Sequence, residues 1–167
     1  MTAENILQAG TPISAPLQIE RNLRQRILVV EDDNAIRRLN TEVLTYSGYQ
    51  VDSAEDGAVA WDALQLKSYD LVVTDNEMPK VTGVELILKL QAARMALPVV
   101  MATGTLPDEK FTRYGSLQPA MLLLKPYTFD ELVAAVKEVL CWSSGNREEI
   151  ALAPNWPTHP LANRIQL

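Results

Sequence analysis

The architecture of this chain can be worked out from the run Leu71-Val72-Val73-Thr74-Asp75-Asn76-Glu77-Met78-Pro79. Aliphatic and β-branched residues lead directly into an aspartate, and a proline follows shortly after it. A continuous apolar run of this length is typical of a parallel strand that is covered on both faces. Such a strand would place Asp75 at its carboxyl end, which is where open α/β folds bind their ligands.

Further apolar runs of strand length lie on both sides of this one. They cover residues 26–30, 49–54, 97–102 and 121–124. The segments between the runs repeat apolar residues at helical spacing, although the helix over 107–115 is weakly marked. Alternation of strands and helices predicts an α/β fold with one parallel sheet, helices on both faces and right-handed crossovers.

Each predicted helix has an apolar stripe that we expect to face the sheet. The stripes are Ile36, Leu39, Val43 and Leu44; Val59, Ala60, Ala63 and Leu64; Val84, Ile87, Leu88 and Gln91; and Phe129, Leu132, Val133, Val136 and Leu140. Asn34 or Asp33 can cap the first helix, and Asp56 opens the second. Thr128 and Glu131 have the spacing of a capping box at the start of the last helix.

Length and composition favour a single folded domain. The chain has 167 residues and 47% hydrophobic residues, which suffices for one core with extensions. We expect an N-terminal extension over 1–24, a domain over 25–141 and a flexible, proline-rich tail over 142–167. The formal net charge of -6 argues against a nucleic-acid-binding surface.

The compartment can also be predicted from the sequence. The single cysteine, Cys141, excludes an internal disulfide. The first residues contain no apolar segment typical of a secretory signal, and no apolar run approaches the length of a membrane span. These features favour a cytoplasmic protein that does not bind membranes.

Polar residues follow four of the predicted strands. They are Glu31, Asp32, Asp75, Thr103 and Lys125. The carboxyl ends of parallel strands meet at one edge of a sheet, so we expect these side chains to converge. Two like charges about 4 Å apart cost roughly 4 kcal/mol at an effective dielectric constant of about 20. The carboxylates therefore need a cation, and Mg²⁺ suits carboxylates that act together with phosphate oxygens.

The same residues suggest phosphoryl chemistry. A carboxylate such as Asp75 can attack phosphorus and form an acyl phosphate. Thr103 could donate a hydrogen bond to the phosphoryl oxygens, and Lys125 could pair with their charge. An idle cluster of this kind is improbable, because the repulsion among its carboxylates makes it costly.

At this point the chain resembles the receiver domain of two-component response regulators, of the chemotaxis-regulator type. The resemblance extends over about residues 26–140. It rests on Ile27-Leu28-Val29-Val30-Glu31-Asp32-Asp33, Val73-Thr74-Asp75-Asn76-Glu77-Met78-Pro79, Gly83, Pro98-Val99-Val100-Met101-Ala102-Thr103-Gly104 and Lys125-Pro126. It implies a flavodoxin-like, doubly wound, three-layer fold with strand order 2-1-3-4-5.

The resemblance also implies a role for each site residue. Asp75 would accept a phosphoryl group from a phosphohistidine on a partner. Asp32 would ligate Mg²⁺ directly, Glu31 through water, and Glu77 through its backbone carbonyl. Thr103 and Lys125 would engage the phosphoryl group, and the bond before Pro126 would be cis.

The expected partners are a sensor histidine kinase or phosphotransfer protein and a downstream protein. The downstream protein would read the surface formed by the fourth helix, the fifth strand and the fifth helix. The chain would not be an enzyme beyond its own phosphorylation and dephosphorylation, and it would be a monomer or a weak dimer.

The sequence departs from the family pattern at one residue and in one loop. Leu122 occupies the place of the aromatic residue that usually moves with the threonine, so this coupling is expected to be altered. The usual glycine-alanine-aspartate stretch before the last strand is replaced by residues 116–120. Glu77 adds an acidic side chain near the site. In the family this position tunes the rate of dephosphorylation, and the resemblance does not imply whether Glu77 raises or lowers that rate.

Three other interpretations remain open. Leu122 and the altered loop favour a phosphorylation-independent interaction module, whereas the intact acidic site opposes it. A metal-dependent hydrolase would need a further acid or base and a substrate cap, and the sequence offers neither. The chain can also be a receiver fragment of a larger regulator or hybrid kinase.

Overall fold

The computed structural model describes residues 25–104 and 119–145. The strands are β1 Arg26–Val30, β2 Gln50–Ala54, β3 Leu71–Asp75, β4 Val99–Thr103 and β5 Met121–Leu124. The helices are α1 Asn34–Tyr46, α2 Gly57–Leu66, α3 Gly83–Ala92 and α4 Phe129–Gly145. The predicted helix over 107–115 and the predicted N-terminal extension over 1–24 lie outside the described residues. Of the tail predicted over 142–167, residues 142–145 continue the last helix, and the rest also lies outside the described residues.

The five strands form one parallel sheet in the order β2-β1-β3-β4-β5. Every residue of β3 and β4, two of the three inner strands, is buried. This burial on both faces explains the continuous apolar runs over 71–73 and 99–102. The predicted doubly wound α/β fold and its strand order are confirmed.

Apolar side chains fill both faces of the sheet. Ile27, Val29, Val73 and Val100 pack with α1 and α4 on one face, whereas Leu28, Val30, Val72 and Met101 pack with α2 and α3 on the other. The alternation of these residues along each strand gives the three layers that the sequence predicts.

The face that α3 turns to the sheet differs from the prediction. Leu86, Ile87 and Leu90 are buried, whereas Leu88 and Gln91 are exposed. The cause lies at Gly83, where a Cβ atom would collide with the backbone oxygen of Asp75. This close approach turns the Gly83 face of the helix inward, and residues at i+3, i+4 and i+7 from it follow.

The stripes predicted for the other helices are correct only in part. Ile36, Leu39, Val59 and Phe129 are between 37% and 47% exposed. In α1 the buried positions are Asn40 and Leu44. Asn40 donates a hydrogen bond from Nδ2 to the Tyr127 hydroxyl at 2.9 Å, so a satisfied polar residue occupies a core position. An apolar pattern cannot reveal such a position.

The helix starts follow the predicted capping signals. Asp33 Oδ1 accepts hydrogen bonds from the backbone amides of Ala35 and Ile36, and Asp56 Oδ1 caps α2 in the same way. The capping box of Thr128 and Glu131 is confirmed. These caps set the points at which each helix leaves the carboxyl edge of the sheet.

Candidate functional site

Three carboxylates converge at the carboxyl edge of the sheet. Glu31 and Asp32 follow β1, and Asp75 is the last residue of β3. One oxygen from each of the three side chains lies within 4.8 Å of the others. Glu31 and Asp75 are buried, whereas Asp32 is exposed. The topology therefore assembles the predicted acidic cluster with one side open to solvent.

The pairing of β1 with β3 explains this convergence. Val30 is the register partner of Thr74, so Glu31 and Asp75 each lie one residue beyond that pair. The backbone amide of Glu31 donates to the carbonyl of Ala54 at 3.1 Å, which holds the end of β1 against β2. The regular ladder thus continues as far as the first acidic residue.

Lys125 contacts two of the three carboxylates. Its Nζ lies 3.0 Å from Asp75 Oδ2 and 3.4 Å from Glu31 Oε2. Burial lowers the pKa of Lys125, but the hydrogen bond to Asp75 and the charge of Glu31 outweigh it and raise the pKa above its ordinary value. The side chain therefore carries a firmly held positive charge in the site.

The charge of the cluster is only partly compensated. Burial, together with the neighbouring charge of Asp75, raises the pKa of the Glu31 carboxyl above its ordinary value. Lys125 and the Asp33 amide, which donates to Glu31 Oε1 at 3.3 Å, act in the opposite direction without reversing the rise. Ionised Glu31 is thus still disfavoured, and a further cation near it would be stabilised.

The remaining predicted site residues lie at or near the same edge. Thr103 is buried at the end of β4, and its carbonyl accepts the backbone amide of Lys125 at 2.9 Å. Glu77 is exposed in the loop after β3. Leu122, the register partner of Met101, is 40% exposed. The peptide bond between Lys125 and Pro126 is cis.

The loop between β3 and α3 is held by contacts that the sequence analysis missed. Lys80 Nζ lies 2.6 Å from Asp56 Oδ2, and the Asp56 carboxylate is almost completely buried. The amide of Gly57 also donates to the carbonyl of Val81 at 3.2 Å. The sequence predicts only the helix-capping role of Asp56. No local spacing could have revealed its second contact, because the two residues are brought together by the fold.

Arg37 was also missed. Its Nη1 donates to the backbone carbonyls of Glu31 at 2.7 Å and Asp32 at 3.2 Å, and its Nη2 donates to Asn34 Oδ1 at 3.0 Å. An arginine within the first turns of a helix that follows an acidic loop could have suggested this contact. The same spacing also describes an arginine in solvent, so the sequence alone could not decide.

The donor set fits a hard divalent cation such as Mg²⁺. All three converging side chains offer carboxylate oxygens, which hard cations prefer over nitrogen or sulfur ligands. Burial first, and then the charge of Asp75, raise the pKa of the Glu31 carboxyl, so its ionised form is disfavoured unless a further positive charge is bound beside it. Among the described residues, no helix has the length and apolarity that crossing a membrane requires.

Comparison with known proteins identifies the family. The sequence model for the response regulator receiver domain matches residues 27–137. The chain belongs to this family. The receiver domain is 34% identical over 117 residues to response regulator MprA from Mycobacterium sp. (strain KMS), a match that covers 69% of this chain and 50% of that protein. It is 33% identical over 115 residues to the probable transcriptional regulatory protein SilR from Salmonella typhimurium, with the same shares covered. The chain thus spans about half the length of these curated relatives.

Solved structures of receiver domains share the fold. Response regulator TrrA from Thermotoga maritima, solved in complex with Mg²⁺-BeF, is 32% identical with a TM-score of 0.61. That match covers 69% of this chain and 98% of the other. A CheY-like receiver domain protein from Methanospirillum hungatei JF-1 is 25% identical with a TM-score of 0.68, covering 73% of this chain and 98% of the other.

Proposed function

We propose that this receiver domain accepts a phosphoryl group on Asp75 and signals its phosphorylation state to a partner protein. One observation carries the proposal. The buried Asp75 carboxylate ends the central strand, shares a cluster with Glu31 and Asp32, and lies 3.0 Å from Lys125 Nζ. This arrangement supplies a nucleophile, oxygen ligands for a cation and a positive charge for phosphoryl oxygens in one place.

The phosphodonor would be a phosphohistidine on a sensor histidine kinase or phosphotransfer protein. A carboxylate oxygen of Asp75 attacks phosphorus, and a phosphorus–oxygen bond forms as the phosphorus–nitrogen bond breaks. The electron pair of the broken bond stays on the imidazole nitrogen, which then takes a proton from solvent. The domain would also hydrolyse its own aspartyl phosphate slowly, returning the carboxylate and inorganic phosphate.

Asp32 and Asp75 would hold Mg²⁺ directly, Glu31 through water, and Glu77 through its backbone carbonyl. Bound there, Mg²⁺ would neutralise charge on the transferring phosphoryl group. TrrA, solved with Mg²⁺-BeF, is the relative that supports this assignment. Lys125 would keep its charge throughout, because its raised pKa prevents it from losing a proton at neutral pH.

Phosphorylation would add roughly -1.5 to -2 units of charge at Asp75. The hydroxyl of Thr103 and the ammonium of Lys125 would then bind the new oxygens. Since the Lys125 amide is bonded to the Thr103 carbonyl, movement at either residue would pass to β5 and the surface around it. A downstream protein would read that surface as a shift between two populated states. The domain would act in the cytoplasm as a monomer or weak dimer.

One observation favours a second candidate. Leu122 takes the place of the usual aromatic residue and is 40% exposed on β5. A phosphorylation-independent interaction module would use this apolar surface without any change at Asp75. The two candidates differ in whether Asp75 accepts phosphate at all.

Intact-mass spectrometry after incubation with acetyl phosphate, with and without Mg²⁺, tests the proposal. We expect one Mg²⁺-dependent phosphoryl adduct on the wild type and none on Asp75→Asn. Asp62→Asn is the matched control, because Asp62 is an exposed aspartate on α2, away from the strand ends. An unmodified wild type that is folded by circular dichroism, or an adduct that persists in Asp75→Asn, would contradict the proposal.

A further inference from the structure

Arg37 makes an unusual set of contacts beside the acidic cluster. Its guanidinium forms no ion pair with Glu31 or Asp32 among the contacts described above; it binds the backbone carbonyls of both residues. A second nitrogen binds the side-chain oxygen of Asn34 at the first position of α1. Arg37 thus ties the short connection between β1 and α1 to the helix that follows it.

These contacts complete the restraint of Glu31. Its amide is bonded to Ala54 on β2, and its carboxylate contacts the Asp33 amide and Lys125. The Arg37 Nη1 bond to the carbonyl, at 2.7 Å, fixes the remaining polar group of the residue. For Asp32, whose side chain is exposed, the 3.2 Å bond to the same nitrogen restrains the backbone from which the carboxylate projects.

The positive charge of Arg37 does not by itself favour binding of a cation to the neighbouring carboxylates. A positive charge close to the carboxylates repels an incoming Mg²⁺, so by charge alone Arg37 would weaken binding. Restraint of the backbone that carries the ligand residues would instead strengthen Mg²⁺ binding. Groups that orient metal ligands typically change affinity by about 10- to 100-fold when they are removed.

We propose that Arg37 is a positioning residue for the Mg²⁺ site. It holds the carbonyls of Glu31 and Asp32 so that both carboxylates converge on Asp75. This inference rests on the proposed function, since it concerns the cation that phosphorylation of Asp75 would require. Arg37 itself touches neither the cation nor the phosphoryl group.

The adjacent Arg38 provides a matched control. It lies on the same helix with the same charge, but its Nε is paired with Glu42 Oε1 at 2.8 Å, and its side chain is largely exposed. Substitution of Arg38 removes one positive charge from the adjacent position of α1, and none of the contacts described for Arg38 involves the backbone of Glu31 or Asp32. Arg38→Ala therefore controls for the loss of an arginine from this part of α1, whereas Arg37→Lys controls for the charge at position 37 itself.

Isothermal titration with Mg²⁺ at constant ionic strength provides the test, using wild type, Arg37→Ala, Arg37→Lys and Arg38→Ala. We expect the dissociation constant to rise about tenfold in Arg37→Ala. Arg37→Lys should also bind more weakly, because it retains the charge but loses the guanidinium fork that reaches the carbonyls and Asn34 together. Arg38→Ala should stay within about twofold of the wild type, the size of effect expected for a screened surface charge.

The outcomes separate the two proposals. A wild type that does not bind Mg²⁺ would overturn the proposed Mg²⁺-dependent function and this inference with it. A wild type that binds, with Arg37→Ala binding equally well or more tightly, would overturn this inference alone. If Arg37→Ala does not fold, Arg37→Lys decides: affinity equal to the wild type means that charge, and not positioning, is what Arg37 contributes.

A structural readout accompanies the titration. If Arg37 positions this backbone, the NMR resonances of the backbone amides of Glu31, Asp32 and Asp33 shift in Arg37→Lys even without Mg²⁺. The amide resonances of Asp52 and Lys67, which form an ion pair with each other, do not shift. Unchanged resonances in the acidic connection would count against the inference, because the backbone would then be held without Arg37.

Discussion

At the scale of single residues, the site is built from side chains whose preferred charge states conflict. The fold raises the pKa of Glu31, which disfavours its anionic form, and raises the pKa of Lys125, which favours its cationic form. The difference follows from position. Glu31 is more deeply buried and faces Asp75, while Lys125 is surrounded by opposite charges.

The raised pKa of Glu31 predicts how stability changes with pH. Above the pKa of the folded state, Glu31 is charged in both the folded and unfolded chains, and only the folded chain bears the penalty. The penalty is relieved as the pH falls through the folded-state pKa and is gone below the ordinary value of 4.5. Glu31→Gln should therefore raise the free energy of unfolding at pH 7 without Mg²⁺, by roughly 0.5–2 kcal/mol, the usual size of a single stabilising substitution.

Urea denaturation of both proteins at pH 7 and at pH 4 checks this prediction. The difference in stability should be present at pH 7 and should close at pH 4. Glu42→Gln is a suitable control, because Glu42 lies on the exposed face of α1 and is paired only with Arg38 among the ion pairs described here. A variant less stable than the wild type at pH 7 would mean that the contacts of the Glu31 carboxylate outweigh its burial.

At the scale of elements, the loop after β3 is fastened to the start of α2. Lys80 has a φ of 64°, in the left-handed region that ordinary side chains avoid. Its ammonium binds Asp56, which also caps α2. The favourable ion pair with a buried carboxylate offsets the unfavourable backbone conformation, which explains a lysine at a position suited to glycine.

Substitutions at Lys80 separate these two effects. Lys80→Ala loses the ion pair and keeps the backbone strain, so we expect it to be destabilised by about 1–2 kcal/mol. Lys80→Gly loses the same pair but relieves the strain and should be about 1 kcal/mol more stable than Lys80→Ala. Thermal and urea denaturation of both variants measure the difference.

Lys67→Ala is the matched control for this pair. Lys67 binds Asp52 at 3.1 Å, but both partners are substantially exposed, so its loss should cost less than about 1 kcal/mol. Equal losses in Lys67→Ala and Lys80→Ala would show that the burial of Asp56 adds nothing. Lys80→Ala more stable than Lys80→Gly would refute the strain argument.

The elements also show where sequence reasoning succeeds. The strand ends could be predicted because continuous apolar runs mark buried parallel strands, and their topology brings Glu31, Asp75 and Lys125 to one edge. The inward faces of α1 and α3 could not be predicted in full. They depend on Asn40, whose partner Tyr127 is distant in sequence, and on the close backbone approach at Gly83. Contacts of long side chains, such as those of Arg37 and Lys80, likewise depend on the finished fold.

At the scale of the whole molecule, a cation at the acidic cluster should stabilise the folded chain. A ligand that binds only the folded state at 100 times its dissociation constant adds about 2.7 kcal/mol to the free energy of unfolding. We expect Mg²⁺ to raise the midpoint of thermal unfolding of the wild type. The increase should be much smaller in Asp32→Asn, which removes the most exposed carboxylate of the cluster.

Sodium chloride at matched ionic strength controls for general screening, and Asp62→Asn controls for loss of an acidic side chain elsewhere. An equal increase with sodium chloride would mean that Mg²⁺ acts only by screening. An equal increase in Asp32→Asn would place the stabilising cation outside the cluster.

The pairing order of the strands has a consequence for synthesis on the ribosome. Two of the three carboxylates directly follow β1 and the third ends β3, whereas Lys125 directly follows β5, the last strand to be made. A nascent chain that has emerged only through β4 therefore carries the acidic residues without the lysine that contacts Glu31 and Asp75. During that interval the central strands must pair against uncompensated repulsion, so cellular Mg²⁺ would favour docking of the early strands before translation is complete.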